Sequence, residues 1–107
     1  MPTYVVRSTH PPDQCPTANS KVRELVQKGA PEMPGLAQRL GVRVVAGPFV
    51  LGPEHEGLVV VEAERLEAVN EFVLASGMVQ WNSVRVTPAQ PLQEALAELD
   101  KVPPPLY

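Results

Sequence analysis

Few side chains in this sequence are suited to chemistry, and most of them fall in one short segment. His10 and Cys15 share the stretch His10-Pro-Pro-Asp-Gln-Cys15-Pro; the chain's other histidine, His55, lies between Glu54 and Glu56. A thiolate and imidazoles together suit zinc, nickel, copper or iron. His10, Cys15 and His55 are therefore candidate metal ligands, with a neighbouring glutamate as a further donor. A haem held by His or Cys is compatible with the same residues. No Cys-x-x-Cys or His-Glu-x-x-His spacing accompanies them. Cys15 has a second reading, as a nucleophile or sulfur carrier. It precedes an expected helix by a few residues and lies near His10, both of which lower a thiol pKa, while Asp13 opposes ionisation. In the third reading the three residues are structural: His10 packs a loop, Cys15 is a small buried hydrophobe and His55 is a solvated hairpin residue.

A second group is apolar. Tyr4, Phe49 and Trp81 sit on or beside strand-like runs and are candidate lining for a cavity that holds a small organic molecule. Arg7 and Arg43, at strand positions, are expected in ion pairs or on a solvated face. Ser76 and Ser83 lack a Gly-x-Ser-x-Gly elbow, and no phosphate-binding glycine loop is present. Glu62, Glu64 and Glu67 cluster near the start of a helix, where carboxylates favour the helix dipole.

The elements that must position these residues are legible from periodicity. Tyr4 to Thr9 reads as a first strand. Asn19 or Ser20 caps a helix to about Lys28, ended by Gly29. Pro31 to Pro34 read as a break, and Leu36 to Leu40 as a short helical turn closed by Gly41. Val42 to Leu51 is a second strand, bent at Gly47-Pro48 and placed at an edge by that proline. Residues 52–57 form a hairpin loop before a third strand, Leu58 to Ala63, which is apolar on both faces. Glu64 to Ala75 is an amphipathic helix with Leu66, Val69, Phe72 and Val73 on one stripe. Val79 to Thr87 is a fourth strand, and Pro91 starts a last helix with Leu92, Ala95, Leu96 and Leu99 on its apolar side.

Strand, helix, strand, strand, helix, strand and an added helix is an α+β, ferredoxin-like βαββαβ pattern. It predicts a four-stranded antiparallel sheet of order 4-1-3-2 with helices on one face. In that order the end of strand 1 lies beside the start of strand 3. Both histidines and the cysteine then meet at one end of the sheet. The other face, apolar at strand 3, calls for a cover, and a second copy of the chain supplies one.

Composition bounds the partners. The 107 residues favour one domain, with 103–107 as a proline-rich tail, and the net charge of −3 is spread along the chain. A basic footprint for nucleic acid is absent, and no apolar run is long enough to span a bilayer. No secretory leader is visible, so the expected location is the cytoplasm. Thirteen prolines fall between the apolar runs and read as stiffened loops, a composition that suits a thermophile.

The opening Met1-Pro-Thr-Tyr-Val-Val-Arg-Ser-Thr and the stretch Gly77-Met-Val-Gln-Trp-Asn-Ser-Val-Arg-Val-Thr-Pro resemble small bacterial ferredoxin-like proteins of the dimeric α+β barrel superfamily. The resemblance implies a homodimer or higher oligomer that pairs sheet to sheet. It also includes a small nickel-binding relative. Superfamily members range from monooxygenases and isomerases to haem-binding and non-catalytic proteins, so fold does not select among them. Three expectations follow: a metal-binding protein with ligands His10, Cys15 and His55; a monooxygenase- or isomerase-like enzyme with a small apolar substrate in the barrel cavity; or a non-catalytic oligomeric module.

Overall fold

The computed structural model describes residues 1–106. Four strands, β1 (Thr3–Thr9), β2 (Arg43–Leu51), β3 (Glu56–Glu62) and β4 (Ser83–Ala89), form one sheet in the order β2-β3-β1-β4. This is the expected 4-1-3-2 read from the opposite edge, and every pairing is antiparallel. Together with α1 (Ser20–Gly29), α2 (Met33–Arg39), α3 (Leu66–Ala75) and α4 (Leu92–Ala97), the chain is an α+β protein consistent with the ferredoxin-like pattern.

Alternation along the strands separates two faces. Tyr4 and Val6 of β1 lie opposite Val61 and Val59 of β3 and point to the helices. There they pack with Ala37, Val42, Val69, Phe72 and Val73, and Val61 and Val69 are completely buried. Burying such a valine contributes on the order of 1.5–3 kcal/mol. Ser8 and then His10 continue the same face of β1 beyond this core, so β1 carries the core and the first candidate ligand on one side.

Val5, Leu58 and Val60 occupy the other face with Ala46 and Phe49, and no helix among the described residues covers them. Two ion pairs flank this stripe, Arg7 with Glu56 at 3.2 Å and Arg43 with Glu62. Glu62 therefore belongs to β3 and pairs across the hairpin; it does not serve the helix dipole. β2 is an edge strand with two register shifts, one between Val44 and Ala46 and one between Ala46 and Phe49, across Gly47-Pro48.

Several boundaries move for identifiable reasons. Pro31 does not break the helix: it enters a 3-10 turn over Ala30–Glu32 in a first-turn position where its missing N–H costs nothing, and α2 follows directly. Gly29 correspondingly keeps right-handed helical angles, and Gly41, at φ +72°, is the glycine that turns the chain out of α2. The helix expected from Glu64 starts at Leu66. Val79 is not in a strand, because Met78–Gln80 form a 3-10 turn and β4 begins only at Ser83.

α4 projects from the body of the molecule. Leu92, Leu96 and Leu99 are each more than half exposed. The chain extends 55 × 33 × 18 Å with a radius of gyration of 16.6 Å, against about 13 Å for a compact domain of this length. No helix among the described residues is long and apolar enough to cross a membrane.

Candidate functional site

The loop after β1 is built to hold Cys15 in one place. Pro12–Gln14 form a 3-10 turn, in which the Gln14 and Cys15 amides donate to the carbonyls of Pro11 and Pro12. The Cys15 carbonyl then accepts from the Ala18 and Asn19 amides at 2.9 and 2.8 Å. Asn19 caps α1, its Oδ1 accepting from the amides of Lys21 and Val22, while its Nδ2 donates to the Asp13 carbonyl. Arg23, one turn into α1, donates to the carbonyls of Pro16 and Thr17 at 2.8 and 3.0 Å. Proline stiffness and these bonds reduce the conformational entropy that the loop loses on presenting its thiol.

His55 reaches the same place from the β2–β3 loop. Its carbonyl accepts from the His10 amide at 3.1 Å, extending the β1–β3 ladder by one rung. Its φ of +56° is left-handed, a conformation uncommon outside glycine, asparagine, aspartate and histidine. Gly57, two residues on, faces Ser8 so closely that a β-carbon would lie 2.7 Å from the serine Oγ. A larger residue there would have to turn the Ser8 hydroxyl aside.

The ligand atoms of His10, Cys15 and His55 all lie within 4.8 Å of one another. The expected juxtaposition at one end of the sheet is thus present. The rings of His10 and His55 meet edge to face at 5.5 Å, and Trp81 packs on His10 at 4.9 Å between centroids.

The tautomer of His10 follows from its partner. Asn82 Nδ2 donates to the Met78 carbonyl at 3.1 Å, which turns Asn82 Oδ1 toward His10 Nδ1 at 2.9 Å. Nδ1 is therefore the donor, and Nε2 carries the lone pair. Nε2 is buried and has no hydrogen-bond partner among the described residues. An unmatched buried polar atom is costly, and a ligating histidine held through its other nitrogen has this form.

Cys15 is only 9% exposed, yet its thiol is held down to about 6. The Thr17 hydroxyl, donating to Sγ at 3.0 Å, is the largest cause and the Thr17 backbone amide follows, while burial works in the opposite direction. Asp13, expected to oppose ionisation, is not among the groups that shift it.

Beside the cluster lies a cavity of about 590 Å³, within the usual range of small-molecule sites. His10, Cys15 and His55 form part of its wall, and Val26, Leu51, Pro53 and Trp81 supply apolar surface. Of the three expected lining residues, only Trp81 is here. Tyr4 is buried in the core because its even position on β1 faces the helices, and Phe49 stands half exposed on the uncovered face. Thr17 is a site residue that sequence reasoning missed. Its signal was a hydroxyl two residues after the cysteine, within reach of Sγ. Asn82 was visible beside Trp81, but its role depends on a contact with His10 across 72 positions.

No protein-family model matches this chain, and neither does any curated protein.

Proposed function

We propose that this chain is a metal-binding protein whose centre consists of His10 Nε2, Cys15 Sγ and a ring nitrogen of His55. The observation that carries the reading is the buried, unpartnered Nε2 of His10 within a three-residue group whose ligand atoms lie within 4.8 Å. Two imidazoles and one thiolate suit zinc, nickel, copper or iron, and three protein ligands leave a coordination position open. Haem is the less favoured cofactor, because the three donors converge on one point rather than flanking a plane. Elemental mass spectrometry of untagged protein, purified without chelator, tests the proposal. A transition metal near one per chain is expected, falling below a tenth in His10→Ala. His55→Asn should lose metal while keeping the fold, since asparagine tolerates the left-handed backbone at this position. A metal-free wild type that takes up none of the four ions at stoichiometric concentration would overturn the assignment.

A second reading, an enzyme acting on a small apolar substrate, is favoured by the cavity adjoining the cluster. It differs from the expected barrel cavity in lying at the end of the sheet.

The proposal extends to assembly. The uncovered stripe of Val5, Leu58, Val60 and Phe49, and the unpartnered apolar side of α4, support self-association sheet to sheet into a homodimer. This is also what membership of the dimeric α+β barrel superfamily would entail.

A further inference from the structure

The cavity is one-sided in its chemistry. Val26, Leu51, Pro53 and Trp81 make its wall predominantly apolar, and among the described residues neither lysine nor arginine lines it. Its one lining carboxylate, Glu56, is already held by Arg7 at 3.2 Å. Nothing along the wall can pair a charge carried on the body of a ligand, and burying an unpaired charge is prohibitive. The polar demand is concentrated at the His10–Cys15–His55 end, where His10 Nε2 lacks a partner.

We infer that the cavity admits a small monofunctional molecule with an apolar body, which enters donor-first and takes the coordination position that the three protein ligands leave open. The inference rests on the metal centre proposed above and adds the class of molecule that binds there. A thiol matches best, because a soft donor suits a metal already held by thiolate and imidazole. On ligation the S–H proton passes to solvent and the sulfur binds as thiolate. Molecules with a second charge, such as sulfonates or phosphates on an alkyl chain, are excluded by the wall.

The test uses cobalt(II)-loaded protein under anaerobic conditions, with two readouts. Cobalt absorption reports coordination. The fluorescence of Trp81, the only tryptophan, reports occupancy of the cavity. Ethanethiol, propanethiol and 1-butanethiol are titrated in turn, with 2-mercaptoethanesulfonate as the charged control. Saturable changes in both signals are expected, with affinity rising about fourfold per added methylene, and with the sulfonate at least tenfold weaker than ethanethiol, whose two-carbon chain it shares. Val26→Phe, which fills the wall at a residue that is not one of the three ligands, should abolish the chain-length dependence and leave the cobalt spectrum of the thiol-free protein unchanged. Thiol binding whose affinity ignores chain length, or ethanethiol binding no tighter than the sulfonate, would overturn the inference while leaving the metal centre standing. Thiol-induced cobalt changes without any Trp81 response would do the same. Failure of the protein to take up cobalt, zinc, nickel or copper would instead overturn the metal centre, and the donor-first orientation with it.

Discussion

At the scale of single residues, the site depends on two polar side chains that are not candidate ligands. Thr17 stabilises the thiolate directly, and Asn82 sets which nitrogen of His10 is free. In Thr17→Val the shape is kept and the donor lost, so the Cys15 thiol should rise from about 6 toward its ordinary 9.0. The pH profile of iodoacetamide alkylation of metal-free protein measures this. Wild type should react with a midpoint near 6, and the variant more than one unit higher. The linkage has a definite sign. A thiol lowered in the folded state adds stability above its ordinary pKa, and that contribution is lost as pH falls through about 6. Metal-free protein should therefore unfold more readily at pH 5 than at pH 9 by this contribution, and Thr17→Val should show less of the difference. Asn82→Ala releases His10 Nδ1 and removes the preference for one tautomer. Metal affinity should fall 10- to 100-fold, the usual cost of losing such an orienting partner, measured by competition with a chromogenic chelator. An unchanged affinity would show that His10 is oriented by Trp81 packing alone.

At the scale of elements, the site is held by junctions rather than by regular structure. Each candidate ligand sits just outside a strand or helix: His10 after β1, Cys15 before α1, His55 before β3. Asn19 joins two of these functions, capping α1 and tying back to the Asp13 carbonyl. Asn19→Ala should cost about 1 kcal/mol, or a drop in Tm of about 4–8 °C for a domain near this size. Thermal unfolding by circular dichroism checks it. The same variant loosens the loop on Cys15, so metal binding should weaken together with stability, unlike in Asn82→Ala. Element types were readable from periodicity, since the apolar stripe of α3 and the alternation of β1 each have one period. Boundaries were less readable. Pro31 and Gly29 carry local signals for a stop, but a first-turn proline is compatible with a helical path, and packing of Ala37 into the core carries the chain on into α2. Val79 suits a strand locally, yet the turn after Gly77 places Met78 over the core and delays β4.

At the scale of the whole molecule, a monomer leaves two apolar surfaces in water: the far face of the sheet and one side of α4. Contiguous patches of this kind mark interfaces. Light scattering or sedimentation should give twice the chain mass for wild type. Phe49→Asp, on the sheet face, should return the monomer without loss of secondary structure, because Phe49 is half exposed and outside the core. Leu96→Glu tests whether α4 takes part, and a reduced mass is expected there too. A monomeric wild type would sink the sheet-to-sheet assembly and leave the proposed metal centre untouched, since all three candidate ligands come from one chain.

The sequence by itself determined the element types, the sheet order and the meeting of His10, Cys15 and His55 at one end of the sheet. Periodicity and chain order are local or combinatorial properties, and the antiparallel order carries strand ends to each other without knowledge of any side chain. Only the tertiary structure decided which histidine nitrogen is free, that Thr17 holds the thiolate, and that Trp81 but not Tyr4 or Phe49 borders the cavity. Those facts depend on ångström-scale contacts between residues far apart in the chain. Strand parity sends Tyr4 inward to the core, and a shifted edge strand leaves Phe49 on the open face, while the 3-10 turn after Gly77 brings Trp81 and Asn82 onto His10.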